Sequence, residues 1–389
     1  MSKAKTILVF SDWYLPGFKG GGTIRAVASL IHHLKEEINI KIITRDRDRG
    51  DSVPYKNIVI DRWQNIDNVQ ILYCSPSQLS TKNIVTLIQA TKHELLYLNS
   101  LFSYRMGILP LIINRLQMPE IPCLLAPRGQ LFEGALNVKF LKKRAFLYLS
   151  RFSNIYRHIQ WHATTEYEAD AIRLWYGQTN QITVSPDLIT TPSDLKNPKE
   201  FKTKCRGKLK IVLITRIAEN KNIEGAISLL SEIKGDVIFH IFGPIENQKY
   251  WHKCLNIIKS LPENISVEHK GLLKNSHVIS TMQAYDLFFL PTFGENYGYS
   301  LLEALFSGCP ILISDLTPWQ NLESTGIGWD IPLSRQDLFR KKLQDLANMD
   351  KETYLHFSSA AFNFAKSLSE NTATIDLAKN LFLNILKNA

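Results

Sequence analysis

Short apolar runs that alternate with amphipathic stretches constrain the fold of this chain more than any other feature. Seven such runs occur in the first half, and stretches with helical periodicity, such as Thr23–Glu37 and Arg105–Leu116, lie between most of them. Because buried parallel strands read as continuous apolar runs, the pattern predicts a parallel sheet covered by helices on both faces. The seven runs are Thr6–Phe10, Ile38–Thr44, Val69–Tyr73, Leu95–Leu98, Pro122–Ala126, Trp161–Ala163 and Ile182–Val184.

The alternation stops at a polar segment and then starts again. Residues Ser185–Lys210 contain three prolines and show no clear period, which is typical of an interdomain linker. Five more strand-like runs follow, and the chain ends in a helical stretch, Lys351–Lys387. We therefore predict an α/β protein with two doubly wound, Rossmann-like domains in tandem and a cleft between them. The five runs are Leu209–Thr215, Val237–Phe242, Ile265–Val267, Leu287–Pro291 and Pro310–Ser314.

Length and composition agree with this prediction. A chain of 389 residues is too long for one ordinary core, and 45% hydrophobic residues suit a globular protein. No run of about 18 apolar residues occurs, and Ile7–Phe10 is too short for the core of a signal peptide. The five cysteines show no CxxC and no Cys/His ligand spacing, which argues against disulfides and zinc. We expect a cytoplasmic protein.

The net charge of +10 is compatible with nucleic acid, an anionic membrane surface or phosphorylated substrates. The window Lys139–Arg157 is basic, has no acidic residue and carries interleaved apolar and aromatic residues. A helix of this kind suits an anionic membrane surface, on the cytoplasmic face of the inner membrane. The alternative is packing of its apolar face on the sheet, and both can hold. Its basic residues are Lys139, Lys142, Lys143, Arg144, Arg151 and Arg157.

A glycine-rich loop, Pro16–Thr23, follows the first predicted strand and precedes a helix. Consecutive glycines at positions 20 to 22 let backbone N–H groups approach a ligand, and the N-terminus of the helix favours an anion. A flexible turn is the alternative, and the loop alone does not decide between them.

Two cations follow the first strand of the second set. Arg216 and Lys221 stand five positions apart across a predicted strand-to-helix turn. Both could converge on one diphosphate, the arginine as a planar fork and the lysine as a point charge. The alternative is two solvated charges near the start of a helix, where the dipole mildly disfavours cations.

Two glutamates of interest lie in the segment Pro291–Pro310. Glu295 lies in a glycine- and aromatic-rich turn, and Glu303 follows after seven intervening residues in a predicted helix. The N–H groups of Asn296–Ser300 at the start of that helix are suited to phosphate oxygens. Glu303 could accept two hydrogen bonds from vicinal hydroxyls such as those of a ribose, and Glu295 could bind hydroxyls of a sugar. Surface glutamates are the alternative, although leucine and alanine flank Glu303.

Together these features resemble glycosyltransferase family 4, a retaining group with the GT-B fold. The most specific part is Phe293–Gly298 through Glu303, followed by Gly308–Asp315, which is similar to the family's signature of two glutamates with seven residues between them. The resemblance covers essentially the whole chain. It implies an acceptor-binding domain over residues 1–188 and a donor-binding domain over 189–368, with a C-terminal helix at about 369–389 that packs back on the first.

The resemblance also implies roles for individual residues. Arg216 and Lys221 match the pair that binds the donor diphosphate, and Glu295 joins them as a catalytic residue. No metal and no cofactor are implied, since the nucleotide-diphospho-sugar is a co-substrate. The implied donor-binding residues are Gly21, Gly22, Gly243, Leu273, Asn296, Tyr297, Gly298, Tyr299, Ser300 and Glu303.

The segment Ala126–Gly129 resembles members that assemble bacterial surface polysaccharides such as the O-antigen of lipopolysaccharide. It departs from them at Arg128, where many relatives carry a histidine near the reacting sugar. An arginine cannot act as a base, so we expect Arg128 to act on the leaving phosphate or an acceptor phosphate. A structural arginine at the end of a strand is the alternative.

The resemblance predicts a retaining, metal-independent transfer of a hexose-type sugar from a UDP- or GDP-sugar to a saccharide acceptor that is lipid-linked. Asp46-Arg47-Asp48 forms a DxD motif, which in another fold holds a divalent cation, but Arg45 and Arg49 would repel one. We therefore expect a solvated or acceptor-facing loop there. The alternatives are a nucleotide-sugar epimerase on the same scaffold and a basic nucleic-acid-binding protein. The latter lacks a recognisable binding module, so we expect no nucleic acid partner.

Overall fold

The computed structural model describes residues 5–137, 140–177, 181–191 and 204–388. The chain divides into two compact units. Unit 1 consists of Met1–Thr190 and Asn371–Ala389, and unit 2 consists of Thr191–Glu370. Each unit is built around one sheet with helices on its faces.

Unit 1 contains an eight-stranded sheet. Its strands are β1 (Thr6–Phe10), β2 (Asn39–Arg45), β3 (Trp63–Ile66), β4 (Val69–Cys74), β5 (Leu95–Leu98), β6 (Cys123–Leu125), β7 (Gln160–Ala163) and β8 (Ile182–Val184). They lie in the order β3-β4-β2-β1-β5-β6-β7-β8. In register, Ile7 of β1 stands beside Ile40 of β2 on one side and Leu95 of β5 on the other. All pairs are parallel except β3 with β4.

The antiparallel edge strand β3 is absent from the sequence-based prediction. Its residues are mostly exposed, and polar Gln64 and Asn65 separate Trp63 from Ile66, so they form no apolar run. The signal that does mark it is the two-residue turn Asp67-Asn68, in which both residues have positive φ, at 52° and 64°. Such turns match the twist of a hairpin, and aspartate and asparagine tolerate this conformation.

The core of unit 1 lies on both faces of this sheet. Leu8 and Phe10 of β1 belong to one buried cluster, and Ile7 and Val9 belong to the other, as the period of two in a strand requires. The helices that cover the faces are α1 (Gly22–Leu34), α2 (Thr81–Ala90), α3 (Leu109–Gln117), α4 (Glu133–Asn137), α5 (Phe140–Phe152) and α6 (Glu166–Tyr176), with a π-helical turn at Tyr104–Ile108.

Unit 2 contains a six-stranded parallel sheet. Its strands are β9 (Lys208–Ile214), β10 (Asp236–Phe242), β11 (Ile265–His269), β12 (Leu287–Leu290), β13 (Ile311–Ser314) and β14 (Gly328–Ile331), in the order β11-β10-β9-β12-β13-β14. Its helices are α7 (Ile223–Ser228), α8 (Gln248–Ile258), α9 (Val278–Met282), α10 (Tyr299–Phe306), α11 (Leu322–Thr325), α12 (Gln336–Asn348) and α13 (Lys351–Ser369), with 3-10 turns at Glu219–Lys221 and Asn275–His277.

The last helix, α14 (Thr372–Asn388), returns to unit 1. Phe382 on this helix is fully buried and meets the ring of Tyr97 on β5 edge to face, with ring centroids 5.1 Å apart. Lys379 of α14 pairs with Glu37 at 2.5 Å. The helix therefore contributes to the core of unit 1 although it follows unit 2 in the chain.

In both units the strand order reverses beside the first strand. β1 lies between β2 and β5, and β9 lies between β10 and β12. Open parallel sheets bind ligands beyond the carboxyl ends of their strands at such reversals. The prediction of two Rossmann-like α/β domains is confirmed. A ligand is therefore expected at the carboxyl ends of β9 and β12 in unit 2, here called the β9/β12 edge, and at the carboxyl ends of β1 and β5 in unit 1, here called the β1/β5 edge.

Candidate functional site

An ion pair crosses the β9/β12 edge of unit 2. Lys221 lies in the 3-10 turn after β9, and its Nζ is 2.5 Å from Oε2 of Glu295, in the loop after β12. Lys221 is 6% exposed, and the side chain of Glu295 is 18% exposed. The structure therefore brings two of the predicted catalytic residues together at the place where the sheet topology favours a ligand.

Hydrogen bonds between the two loops hold this pair in place. Asn222 has φ of 51° and caps α7 by accepting from the N–H of Gly225, while its amide donates to the carbonyl of Pro291 at 2.8 Å. The N–H of Phe293 donates to the carbonyl of Asn220 at 2.9 Å. Because the residues on both sides of Lys221 are hydrogen-bonded to the loop of Glu295, the charged groups are pre-organised.

Arg216, the third predicted catalytic residue of unit 2, pairs with Glu246 instead. Its Nη1 lies 2.7 Å from Oε2 of Glu246, and the two side chains are 35% and 26% exposed. Exposed ion pairs contribute little stability, so this arginine can exchange its partner for a stronger anion. Sequence reasoning missed Glu246, although it stands just after β10, where the carboxyl-edge rule would have found it.

The N-terminus of α10 is suited to binding an anion. Gly298 is its N-cap residue with φ of 80°, no side chain caps the helix, and its first turn has no acidic residue. A Cβ at Gly298 would lie 2.7 Å from Cδ1 of Leu301, so the position favours glycine. The first N–H groups of a helix carry partial positive charge and bind anions. Half-buried predicted donor-binding residues in unit 2 are Leu273, Asn296, Tyr297, Tyr299, Ser300 and Glu303.

Gly243 is required by packing between strands. A Cβ at this position would lie 1.8 Å from the carbonyl oxygen of Thr215, and φ is 132°. Its N–H donates to the carbonyl of Gly271 at 2.8 Å. Gly243 is predicted to bind the donor, but glycine is needed at this position for a steric reason that does not involve a ligand.

The glycine-rich loop of unit 1 is held by the second carboxylate of the DxD motif. Oδ2 of Asp48 accepts from the N–H groups of Phe18 and Lys19 at 2.7 and 2.9 Å. Asp46 binds the guanidinium of Arg47 at 2.8 Å. Asp46 and Asp48 are 1% and 4% exposed, so these two carboxylates are not solvated, whereas Arg49 and Gly50 of the same loop are exposed. The described residues contain no group of three or more His, Cys, Asp or Glu side chains placed to hold a metal ion.

Gly21 and Gly22 lie where this loop meets α1. Gly21 is half-buried, has φ of 70° and precedes the first turn of the helix, whereas Gly22 is exposed. No side chain caps α1, and a Cβ on Gly21 would meet no heavy atom within 4 Å. The space beside Gly21 is therefore open to a ligand.

Arg128 lies inside unit 1. Its side chain is 2% exposed and forms an ion pair with Asp187, and its Nη2 donates to the hydroxyl of Tyr97 at 2.7 Å and to Oδ1 of Asn99 at 3.0 Å. Contact with a substrate would require this arginine to leave a buried carboxylate, which is strongly unfavourable. The geometry favours the structural alternative over the predicted catalytic role. Asp187 falls in the segment assigned to the linker, which is why sequence reasoning missed it.

The basic window overlaps α5, which ends at Phe152, so Arg157 follows the helix, and Lys139 lies outside the described residues. Only Leu147 and Ser150 of this helix are buried. Its exposed apolar residues reach 68% for Leu149 and 90% for Phe152. In the described part of the chain no helix is both long and apolar enough to cross a bilayer.

The fold of the chain and the sequence of unit 2 are similar to those of known glycosyltransferases. Residues 196–364 match the family model described as Glycosyl transferases group 1. The two parallel-sheet units have the GT-B fold of solved glycosyltransferase structures. Together the match and the fold support a GT-B glycosyltransferase.

Three solved structures illustrate the similarity. The sucrose-phosphate synthase of Thermosynechococcus elongatus has a TM-score of 0.69 at 16% identity, covering 99% of this chain and 100% of its own. Anabaena HepE in complex with UDP and glucose has a TM-score of 0.67 at 12% identity, with the same coverage. The apo lipopolysaccharide outer core galactosyltransferase WaaB has a TM-score of 0.62 at 13% identity, covering 98% of this chain and 99% of its own. A comparison with curated proteins gave no match.

Proposed function

We propose that this protein is a retaining, metal-independent glycosyltransferase of family 4. It transfers a hexose-type sugar from a UDP- or GDP-sugar to a hydroxyl group of a saccharide acceptor. Unit 2 binds the donor and unit 1 binds the acceptor. The observation that supports this most strongly is the Lys221–Glu295 pair, which lies at the strand-order reversal of the unit that matches the glycosyltransferase family.

In the proposed reaction, negative charge grows on the leaving diphosphate as the sugar becomes an oxocarbenium-like species. Arg216, Lys221 and the start of α10 stabilise that charge. The bond from the anomeric carbon to the phosphate oxygen breaks, and the acceptor oxygen forms a new bond on the same face. The acceptor proton passes to the leaving phosphate, so no protein base is needed. Glu295 binds hydroxyls of the transferred sugar while it orients Lys221.

Glu246 acts in this proposal as a substitute anion for Arg216. The pair is partly exposed, so the arginine turns from Glu246 to the diphosphate at little cost when a donor binds. Lys221 differs because its partner also belongs to the proposed sugar site. It keeps Glu295 and binds the diphosphate with its remaining donors, since an ammonium group has three.

We further propose that the acceptor is lipid-linked and that the product enters a bacterial surface polysaccharide. The similar fold of a lipopolysaccharide outer core galactosyltransferase is consistent with this pathway but does not identify the substrate. The exposed apolar residues and cations of α5 support a peripheral location on an anionic membrane surface, where a lipid-linked acceptor would be found.

Thermal-shift measurements with UDP-, GDP-, dTDP- and ADP-sugars test the donor site. One nucleotide series should raise the midpoint of unfolding, because a ligand that binds only the folded state stabilises it. No stabilisation by any of them would contradict the proposal. Turnover of the best donor should be unchanged by EDTA, whereas loss of activity that Mg²⁺ or Mn²⁺ restores would refute metal independence.

A further inference from the structure

A second polar group stands at the other strand-order reversal, the β1/β5 edge of unit 1. Asp12 follows β1, and Ser103 lies in the loop after β5. The Ser103 hydroxyl donates to Oδ1 of Asp12 at 2.8 Å. This hydrogen bond crosses the edge of unit 1 that corresponds, in topology, to the edge crossed by Lys221 and Glu295 in unit 2.

The hydrogen bonds to Asp12 are one-sided. Arg45, the last residue of β2, donates to Oδ1 of Asp12 from Nε at 3.1 Å and from Nη2 at 2.9 Å. With the Ser103 hydroxyl, three donors therefore meet on one carboxylate oxygen. Within the described ranges no side chain or backbone donor is bonded to Oδ2 of Asp12, and the side chain is 16% exposed. The carboxylate is therefore fixed through one oxygen, which leaves the other for a further donor.

One of the donors, Ser103, is itself held in place, which helps to fix the orientation of Asp12. Ser103 also caps the π-helical turn, because its side chain accepts from the N–H of Met106. The next residue along the chain, Trp13, is half-buried, and the guanidinium of Arg49 lies 5.8 Å from the centre of its ring. A fixed carboxylate next to a partly exposed aromatic ring offers a hydrogen-bond acceptor and an apolar surface together, the combination found in ligand sites.

We infer that Asp12 is an acceptor-binding residue whose Oδ2 receives hydrogen bonds from hydroxyl groups of a hexose in the acceptor, with Trp13 beneath the apolar face of the ring. The inference rests on the proposed function, since it assumes a saccharide acceptor. A carboxylate accepts hydrogen bonds and donates none. This suits a sugar, because vicinal hydroxyls supply several hydrogen-bond donors in a small space. The neighbouring Arg45 accounts for its fixed direction.

The test measures glycan binding separately from nucleotide binding. Full-length wild-type protein, Asp12→Asn and Asp12→Glu are applied to a printed array of hexose-containing oligosaccharides, and thermal shifts with UDP-sugars and GDP-sugars are recorded in parallel. Asp170→Asn is the matched control, because Asp170 also pairs with an arginine of unit 1, at 2.6 Å, but is 70% exposed. The unfolding midpoint without ligand reports any purely structural effect.

We expect the wild type and Asp170→Asn to bind the same glycans, and Asp12→Asn to bind them at least about tenfold more weakly, as loss of a hydrogen bond to a charged group implies. Asp12→Glu keeps the charge and the unfolding midpoint but displaces the carboxylate, so it too should bind more weakly. The nucleotide-induced shift should be the same in all four proteins. Equal glycan binding by wild type and both Asp12 variants, or no glycan binding by the wild type, would overturn the inference. Absence of a nucleotide-induced shift in the wild type would instead contradict the proposed function.

Discussion

Replacement of Lys221 by methionine is the sharpest test of the proposed donor site. Methionine keeps the length and apolar contacts of the side chain and removes only the charge, so the 6% exposure of the residue poses no packing problem. The loss of a pre-organised donor to a developing oxyanion costs about 3 to 4 kcal/mol, which corresponds to a decrease in kcat of about 10² to 10³. We expect a decrease in that range for Lys221→Met.

The stability effect is expected to be smaller than the catalytic one. Removal of one partner of a fully buried ion pair costs about 3 to 5 kcal/mol. The side chain of Glu295 is 18% exposed, so water can solvate part of the unpaired carboxylate, and we expect about 1 to 2 kcal/mol. Urea unfolding of the wild type, Lys221→Met, Glu295→Gln and the double variant measures this and gives the coupling energy of the pair.

The kinetic assay follows release of nucleoside diphosphate from the nucleotide sugar that gives the largest thermal shift. Arg335→Met is the matched control, because Arg335 pairs with Asp337 at 2.9 Å in the same unit but both side chains are more than half exposed. That variant should keep wild-type kcat and stability. A wild-type kcat in Lys221→Met, or strictly additive effects of the Lys221 and Glu295 substitutions, would refute the reasoning.

Three further predictions concern other parts of the molecule. Gly243→Ala places a Cβ 1.8 Å from the carbonyl oxygen of Thr215, so we expect a loss of stability of more than about 3 kcal/mol in urea unfolding. Burial lowers the pKa of His162 from 6.5 to about 3, so the folded state resists protonation and loses stability as pH falls below 6.5. This residue alone should account for a loss of about 2 kcal/mol between pH 7 and pH 5. His162→Gln should therefore lose about that much less stability than the wild type over this range, as urea midpoints at the two pH values will show. Leu149→Glu should reduce flotation with anionic liposomes. Leu116→Glu should not, because Leu116 is exposed to a similar degree, 75% against 68%, but lies on α3; equal flotation of both variants would argue against docking through α5.

The architecture follows from the sequence because it is encoded locally. Each buried parallel strand reads as an apolar run, and every strand of both sheets except the edge strands β3 and β14 coincides with a predicted run. The carboxyl-edge rule then placed Lys221 and Glu295 in loops after neighbouring strands, and the structure shows them in contact. Neither inference needed knowledge of long-range contacts beyond the order of strands.

The partners of charged residues follow from tertiary contacts, which one sequence does not show. Arg128 and Asp187 are 59 residues apart, and nothing in the local pattern joins them. Asp48 attracted attention as part of a DxD motif, but the structure turns its carboxylate to backbone N–H groups 29 and 30 residues earlier. A motif of charged residues identifies side chains that need a partner, and the fold determines which partner they find.

The β9/β12 and β1/β5 edges also differ in whether a sequence pattern marks their residues. At the β9/β12 edge both members of the ion pair belong to segments that a sequence pattern marks, so the site is visible before the structure is known. At the β1/β5 edge the fold brings Asp12, Arg45 and Ser103 together from three segments. Only the hydrogen bonds that Arg45 and Ser103 donate to one carboxylate oxygen of Asp12 distinguish these residues from ordinary surface residues. A donor site that recurs in a family leaves a motif, whereas an acceptor site that suits one saccharide need not. Residues that would bind the proposed acceptor are therefore best sought in contacts of the kind that Asp12 makes.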